Sequence, residues 1–243
     1  MIKFFRKIRQ QLLTENKFSK YLIYAFGEII LVVIGILIAF QINSWNAENL
    51  LIEKEIKHLS GIESDLKENV KIFRKSIDSQ SENMEKIDFL LKVLEEKRPY
   101  TLDFSTNLRS VKGIEEIEII TTGFNTLSAF GMDNIRSDSL RSEIVLLFDH
   151  KFPNNQSLFH DLGRMHHESL VIPIMLKHFT NGEGSRPIPN NYQQLLESKE
   201  FISMLGTRRN VKLALVGRLE GMIRDSDALT LHIQEELEKI TKA

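Results

Sequence analysis

The run from residue 21 to 42, YLIYAFGEIILVVIGILIAFQI, limits what this chain can become more than any other feature, because a single charge, Glu28, interrupts its apolar residues. At 1.5 Å per residue, about 22 helical residues reach roughly 33 Å, against a bilayer hydrocarbon core of roughly 30 Å. The run therefore predicts a transmembrane helix. A buried core helix is also apolar, so the flanks decide. Lys3, Arg6, Lys7, Arg9, Lys17 and Lys20 precede the run with only Glu15 against them, and the next base after it is Lys54. The positive-inside rule then places the N-terminus in the cytoplasm and the remainder across the membrane. Tyr21, Tyr24 and Trp45 stand near the two ends as interfacial anchors. The run is too long for the apolar core of a signal peptide, and Gln41, Asn43 and Trp45 follow it where small residues would mark cleavage.

Of the 243 residues, the head and span use about 40, which leaves about 200 for one extramembrane body. The net charge of −1 implies neither a nucleic acid nor an acidic substrate. The chain has no cysteine, which excludes a disulfide framework, a thiolate metal site and a cysteine nucleophile. Residues 1–20 form a basic cytoplasmic head: Phe5, Ile8 and Leu12 recur at helical spacing among the bases, the pattern of an amphipathic segment lying on anionic headgroups. Residues 21–42 are the membrane helix.

Residues 46–98 are expected to form a long helical arm, coiled-coil-like over about six heptads. Ile56, Val70, Ile77, Met84 and Leu91 occupy one seam position, and Leu59, Leu66, Phe73, Ile87 and Leu94 the other. Arg98 and Pro99 end it. Residues 99–243 complete a helical-bundle domain. Its connector, 100–122, carries Ile114, Ile117, Ile119 and Ile120, which suit a short strand or an irregular helix. Two helices follow, the second capped by Ser137 and closed by Pro153. The next stretch runs to His178 and is kinked or broken at Pro173. Residues 181–191, NGEGSRPIPNN, read as a loop. The last helix, about 198–241, repeats apolar residues over a length that rivals the arm and is expected to pack back on it antiparallel. The fold class is thus all-α.

No phosphate loop, dinucleotide glycine fingerprint, nucleophile elbow or HExxH motif is present. His160, His166, His167 and Glu168 form one cluster, but Arg164 falls between His160 and His167, which opposes metal binding. No catalytic residue, metal or cofactor is expected. Within the span, Gly35 and Ala39 make a small-xxx-small pair at which another helix can approach closely. Glu28 lies on nearly the same face, where a carboxylate is costly unless it meets protein or headgroups.

The segment MIKFFRKIRQQLLTENKFSKYLIYAFGEIILVVIGILIAFQINSWN, residues 1–46, resembles the N-terminal signature of an uncharacterised family of bacterial single-pass membrane proteins, found mainly in the Bacteroidota and carried as a domain of unknown function. Further on, GFNTLSAFGMDNIRSDSLRSEI is similar to a looser family pattern at Leu127, Gly131, Ile135, Leu140 and Arg141. The resemblance implies an inner-membrane anchor, a helical periplasmic body and no catalytic residues. Two functions are expected. One is a structural or interaction protein of the cell envelope whose partners are the bilayer and either further copies of itself or another envelope membrane protein. The alternative is a periplasmic sensor or regulator that signals through its membrane helix to a partner.

Overall fold

The computed structural model describes residues 18–111, 113, 116–182, 184 and 186–242, with side chains undescribed at 18–21, 24 and 110. The chain divides into two compact units, Met1–Lys54 and Glu55–Ala243. Lys3, Arg6, Lys7, Arg9 and Lys17 of the basic head lie outside the described residues, as do the side chains of Lys20, Tyr21 and Tyr24. Helix α1, Phe18–Glu95, supplies the first unit's apolar segment and, from Glu55 onward, one side of the second unit.

In the first unit the most apolar 18-residue window of α1 has a mean hydropathy of 2.5, and none of it is buried. Leu31, Ile36, Leu37 and Phe40 are all at least 60% exposed. By length and composition the helix is long and apolar enough to cross a membrane.

The second unit is helical apart from one hairpin. After α1 come α2 (Leu102–Val111), α3 (Thr122–Phe130), α4 (Asp138–Val145), α5 (Phe152–His166), α6 (Ile172–His178), the strands β1 (Phe179–Asn181) and β2 (Pro187–Pro189), α7 (Tyr192–Leu196) and α8 (Lys199–Lys242). Helix α8 returns along α1: Glu63 meets Gln234 at 2.7 Å, Gln80 meets Lys212 at 3.2 Å and Asp88 meets Arg209 at 2.5 Å, in opposite order along the two helices.

Two apolar cores lie along this pair. The first joins Leu59, Ile62, Leu66 and Phe73 of α1 to Leu215, Leu219, Met222 and Ile233 of α8, and includes Phe124 stacked on Phe148 and Phe148 edge to face with Phe152. The second joins Ile87, Leu90 and Leu94 to Phe201, Met204 and Leu205, and adds Phe104 and Phe179. Gln80, Arg208 and Lys212 are buried between the two.

The seam of the arm differs from expectation at one of its two rows. Leu59, Leu66, Phe73, Ile87 and Leu94 are buried as expected. Ile56, Val70, Ile77, Met84 and Leu91 are only half-buried. Towards both ends the row one residue earlier takes their place, with Glu55, Ile62, Asn69 and Leu90 at no exposure, while Ser76 and Asn83 between them are only half-buried. A two-stranded coiled coil buries one narrow stripe, but this helix is covered both by α8 and by the chain after α2, so its buried sector is rotated towards that second neighbour.

Neither proline ends its helix. Before Pro153 the backbone widens into a π-helical turn, Leu146–Lys151, in which the Phe152 N–H reaches back five residues to the Leu147 carbonyl. Before Pro173 the turn His167–Val171 does the same, with the Ile172 N–H on the His167 carbonyl. Each proline then falls in the first turn of a new α segment, where its missing N–H has no partner to lose. The wide turn also displaces the carbonyl that the ring would otherwise strike.

Residues 181–191 are not all loop: β1 and β2 pair antiparallel, Phe179 opposite Pro189 and Asn181 opposite Pro187. Prolines are tolerated because both strands of a two-stranded sheet are edges. Residues 116–121 form neither strand nor helix, and Ile117 is buried there. Helix α1 ends at Glu95, with Lys97 at φ 48° and the Arg98 N–H on the Val93 carbonyl at 3.1 Å, a Schellman closure.

Candidate functional site

A set of polar contacts in the second unit runs from buried side chains of α1 to the segment 120–136. Asn69 faces the Ile120 backbone like a strand partner: its Nδ2 donates to the Ile120 carbonyl at 2.8 Å, and its Oδ1 accepts the Ile120 N–H at 2.7 Å. One helical turn back, Asp65 Oδ2 accepts the N–H groups of Gly123 at 2.6 Å and Phe124 at 3.3 Å. These are first-turn donors of α3, whose own N-cap residue, Thr121, makes no side-chain cap bond. The cap is supplied from another helix. Glu55 Oε1 accepts the Arg136 N–H at 2.8 Å, and its Oε2 lies 3.5 Å from Arg136 Nε. The three side chains share one face of α1 and hold α3 and its flanking residues to it at three points.

A close backbone approach completes this clamp. A Cβ on Gly123 would stand 2.5 Å from the carbonyl carbon and oxygen of Gly61 and 2.8 Å from the Ile62 nitrogen. Only glycine allows α3 to come near enough for Asp65 to cap it. Burial pushes the Asp65 carboxyl above its ordinary value, and the N–H groups of Gly123 and Phe124 pull it back without cancelling that rise.

The residues of the second pattern in the sequence have physical roles at the same place. Leu127, Ile135 and Leu140 are fully buried. Gly131 ends α3 at φ 99°, a left-handed backbone that favours glycine. Arg141 bridges Asp133, at 3.1 Å, and Asp138. Ser137 caps α4 through the Leu140 N–H, as expected.

Of the expected membrane residues, Glu28 is half-buried, while Gly35, Ala39 and Trp45 are exposed. The space a side chain on Gly35 would enter is open. The histidines do not converge. His160 is exposed and pairs with its neighbour Asp161 at 3.3 Å. Among the described residues no group of three His, Asp or Glu could hold a metal. Charge-reading of the sequence missed Glu55, Asp65 and Asn69, because in a helix so rich in charge they look like a solvated face. The available signal was their alignment with Leu59, Ile62 and Leu66 at three- and four-residue steps.

Comparison with known proteins adds one finding. Residues 28–139 match a family of unknown function, DUF6090. No curated protein and no solved structure matches the chain. Both halves of the clamp, Glu55 to Asn69 and Ile120 to Arg136, fall inside the matched segment, whereas α8 falls outside it.

Proposed function

We propose that the chain is a membrane-anchored structural or interaction protein of the cell envelope. In this reading the basic head is cytoplasmic, α1 crosses the inner membrane, and the body from Glu55 onward is periplasmic and has no chemistry of its own. The observation that carries the reading is the pairing of an unburied apolar window in α1 with a body whose buried acids bind the chain's own backbone. A carboxylate that accepts two backbone N–H groups is occupied by structure and is poorly placed for acid–base work. The six basic residues before the span support the orientation.

The partner in the bilayer is a second copy or another envelope membrane protein, approached through Gly35 and Ala39 on the face that carries Glu28. The chain has no cysteine, so single introduced cysteines report on this directly. Oxidative cross-linking in membranes should give dimers from Gly35→Cys and Ala39→Cys but not from Leu37→Cys. Equal cross-linking at all three positions would remove the small-residue face from the proposal. A reporter active only after export, fused after Ala243, should be active, and activity of a cytoplasm-only reporter there would reverse the orientation.

A further inference from the structure

Residues 43–54 of α1 follow the apolar window, and every side chain among them is exposed except Asn49 and Ile52, which are half-buried. Asn43, Ser44, Asn46 and Asn49 are weak helix formers, and most helical stability in proteins comes from packing. A helix of this composition calls for a neighbour. The apolar residues show which side that neighbour covers: Ile38, Ile42, Trp45, Asn49 and Ile52 succeed one another at alternating steps of four and three, the spacing of a coiled-coil seam. Counted back, the alternation passes through Gly35 to Glu28, on the face already assigned to pairing in the bilayer. Counted forward, it reaches Leu59, which is buried in the body's own core.

Area and polarity identify the neighbour as a second copy. Ile42 and Trp45 are 60% and 64% exposed, and with Ile38 and Ile52 they would bury on the order of 1,000 Å² between two copies, about what a specific interface must clear. Outside the span the seam is polar at one position, Asn49. An asparagine there pairs with its own counterpart and fixes a parallel, in-register dimer; a second copy supplies that counterpart by symmetry. The flanks oppose the pairing. Glu48 and Glu53 border the seam on its two sides, so that Glu48 of one copy faces Glu53 of the other. Both are exposed, and such a like-charge pair weakens association about twofold, whereas burial of Ile52 alone strengthens it by about tenfold or more. The apolar seam wins.

We propose that α1 pairs with α1 of a second copy along Ile38, Ile42, Trp45, Asn49 and Ile52, as a parallel two-stranded coil whose register Asn49 sets. The inference rests on the pairing in the bilayer proposed above, extends it beyond the span and commits its partner to a second copy.

Single cysteines in the full chain, oxidised in membranes, test this. Asn49→Cys and Ile52→Cys should each cross-link to dimers, and Leu51→Cys, on the far side of α1, should not. Two positions that each cross-link to themselves require parallel chains in register. Glu53→Lys turns the facing acids into an acid and a base. Added to Ile42→Cys, three turns away from the thiol, it should raise the initial cross-linking rate about threefold at about 0.1 M salt and leave it unchanged at about 1 M. Cross-linking of Gly35→Cys and Ala39→Cys with none of Asn49→Cys and Ile52→Cys would overturn this proposal and leave the pairing in the bilayer standing. The reverse pattern would uphold the coil and remove only the small-residue face. Equal cross-linking of Leu51→Cys, or a rate that Glu53→Lys leaves unchanged or lowers at about 0.1 M salt, would also overturn the proposal.

Discussion

Asp65 shows how one buried acid can be both a structural device and a burden. Its carboxylate caps α3 from outside that helix, yet burial raises its pKa above the ordinary 3.8. A carboxyl with a raised folded pKa contributes most below its unfolded pKa, and that contribution is lost as pH rises through the folded value. The Asp65 contribution should therefore fall as pH rises through the acidic range, against the opposite trend of the lowered carboxyls Glu63, Asp161 and Glu200, and Asp65→Asn should remove that one component while keeping an acceptor for Gly123. Asp65→Ala leaves two donors unpaired and should cost about 2 kcal/mol at neutral pH. Chemical denaturation of both variants at pH 4 and pH 7 checks the signs, and equal losses in Asn and Ala would deny Asp65 its capping role.

Lys97 bears a cost of a different kind. It holds φ 48° at the Schellman closure, a conformation that costs a non-glycine residue roughly 1–2 kcal/mol. Its ion pair with Glu197, at 3.0 Å, joins two side chains that are 64% and 72% exposed. Such pairs are worth about 0–1 kcal/mol, so the backbone term wins. Lys97→Gly should stabilise the protein by about 0.5–1 kcal/mol, seen as a higher denaturation midpoint with unchanged slope. A lower midpoint would mean that the ion pair is worth more than the left-handed backbone costs.

At the scale of elements, the contact between α1 and α3 is set by the gap at Gly123. A methyl group there would overlap the Gly61 carbonyl and the Ile62 nitrogen, which are backbone atoms and cannot rotate away. The same addition at Gly61 meets only the Gly123 Cα, at 3.5 Å, an ordinary contact. Gly123→Ala should cost about 2 kcal/mol or more, because α3 must move and the Asp65 cap is lost with it. Gly61→Ala should be near neutral or stabilising, since alanine favours the helix by up to about 1 kcal/mol. Thermal melts of the pair measure this asymmetry, and equal effects would remove the close approach as its cause.

For the molecule as a whole, the rotated seam separates positions that the heptad pattern treats alike. Phe73 is fully buried in the first core, in edge contact with Phe152 at 5.8 Å. Ile77, four residues on, is only partly buried against that core. Phe73→Glu puts a charge where no water reaches and should prevent stable folding of the body, while Ile77→Glu should cost about 1 kcal/mol and leave it folded. Circular dichroism of the two variants discriminates them, and similar loss of helix in both would restore the original seam.

The sequence alone carried those parts of the protein that depend on local chemistry. An apolar run long enough to span a bilayer, helical periodicity on both sides of it, and the Ser137 cap are properties of neighbouring residues, so they are legible without a fold. The buried row of α1 was legible only by half. Leu59, Leu66 and Phe73 declare themselves by hydrophobicity, whereas Glu55, Asp65 and Asn69 become interior only because the segment 120–136 brings them backbone groups to bind. Pro153 and Pro173 follow the same logic. Locally the first predicts a stop and the second a kink or break, but a helix held on both sides by packed apolar residues can widen by one residue and continue. The contacts of the clamp are made by residues far apart in the chain, and none has a spacing that a linear pattern could contain. Tertiary structure decided them because burial reverses the meaning of a polar side chain: exposed it is solvated surface, and enclosed it must find a partner.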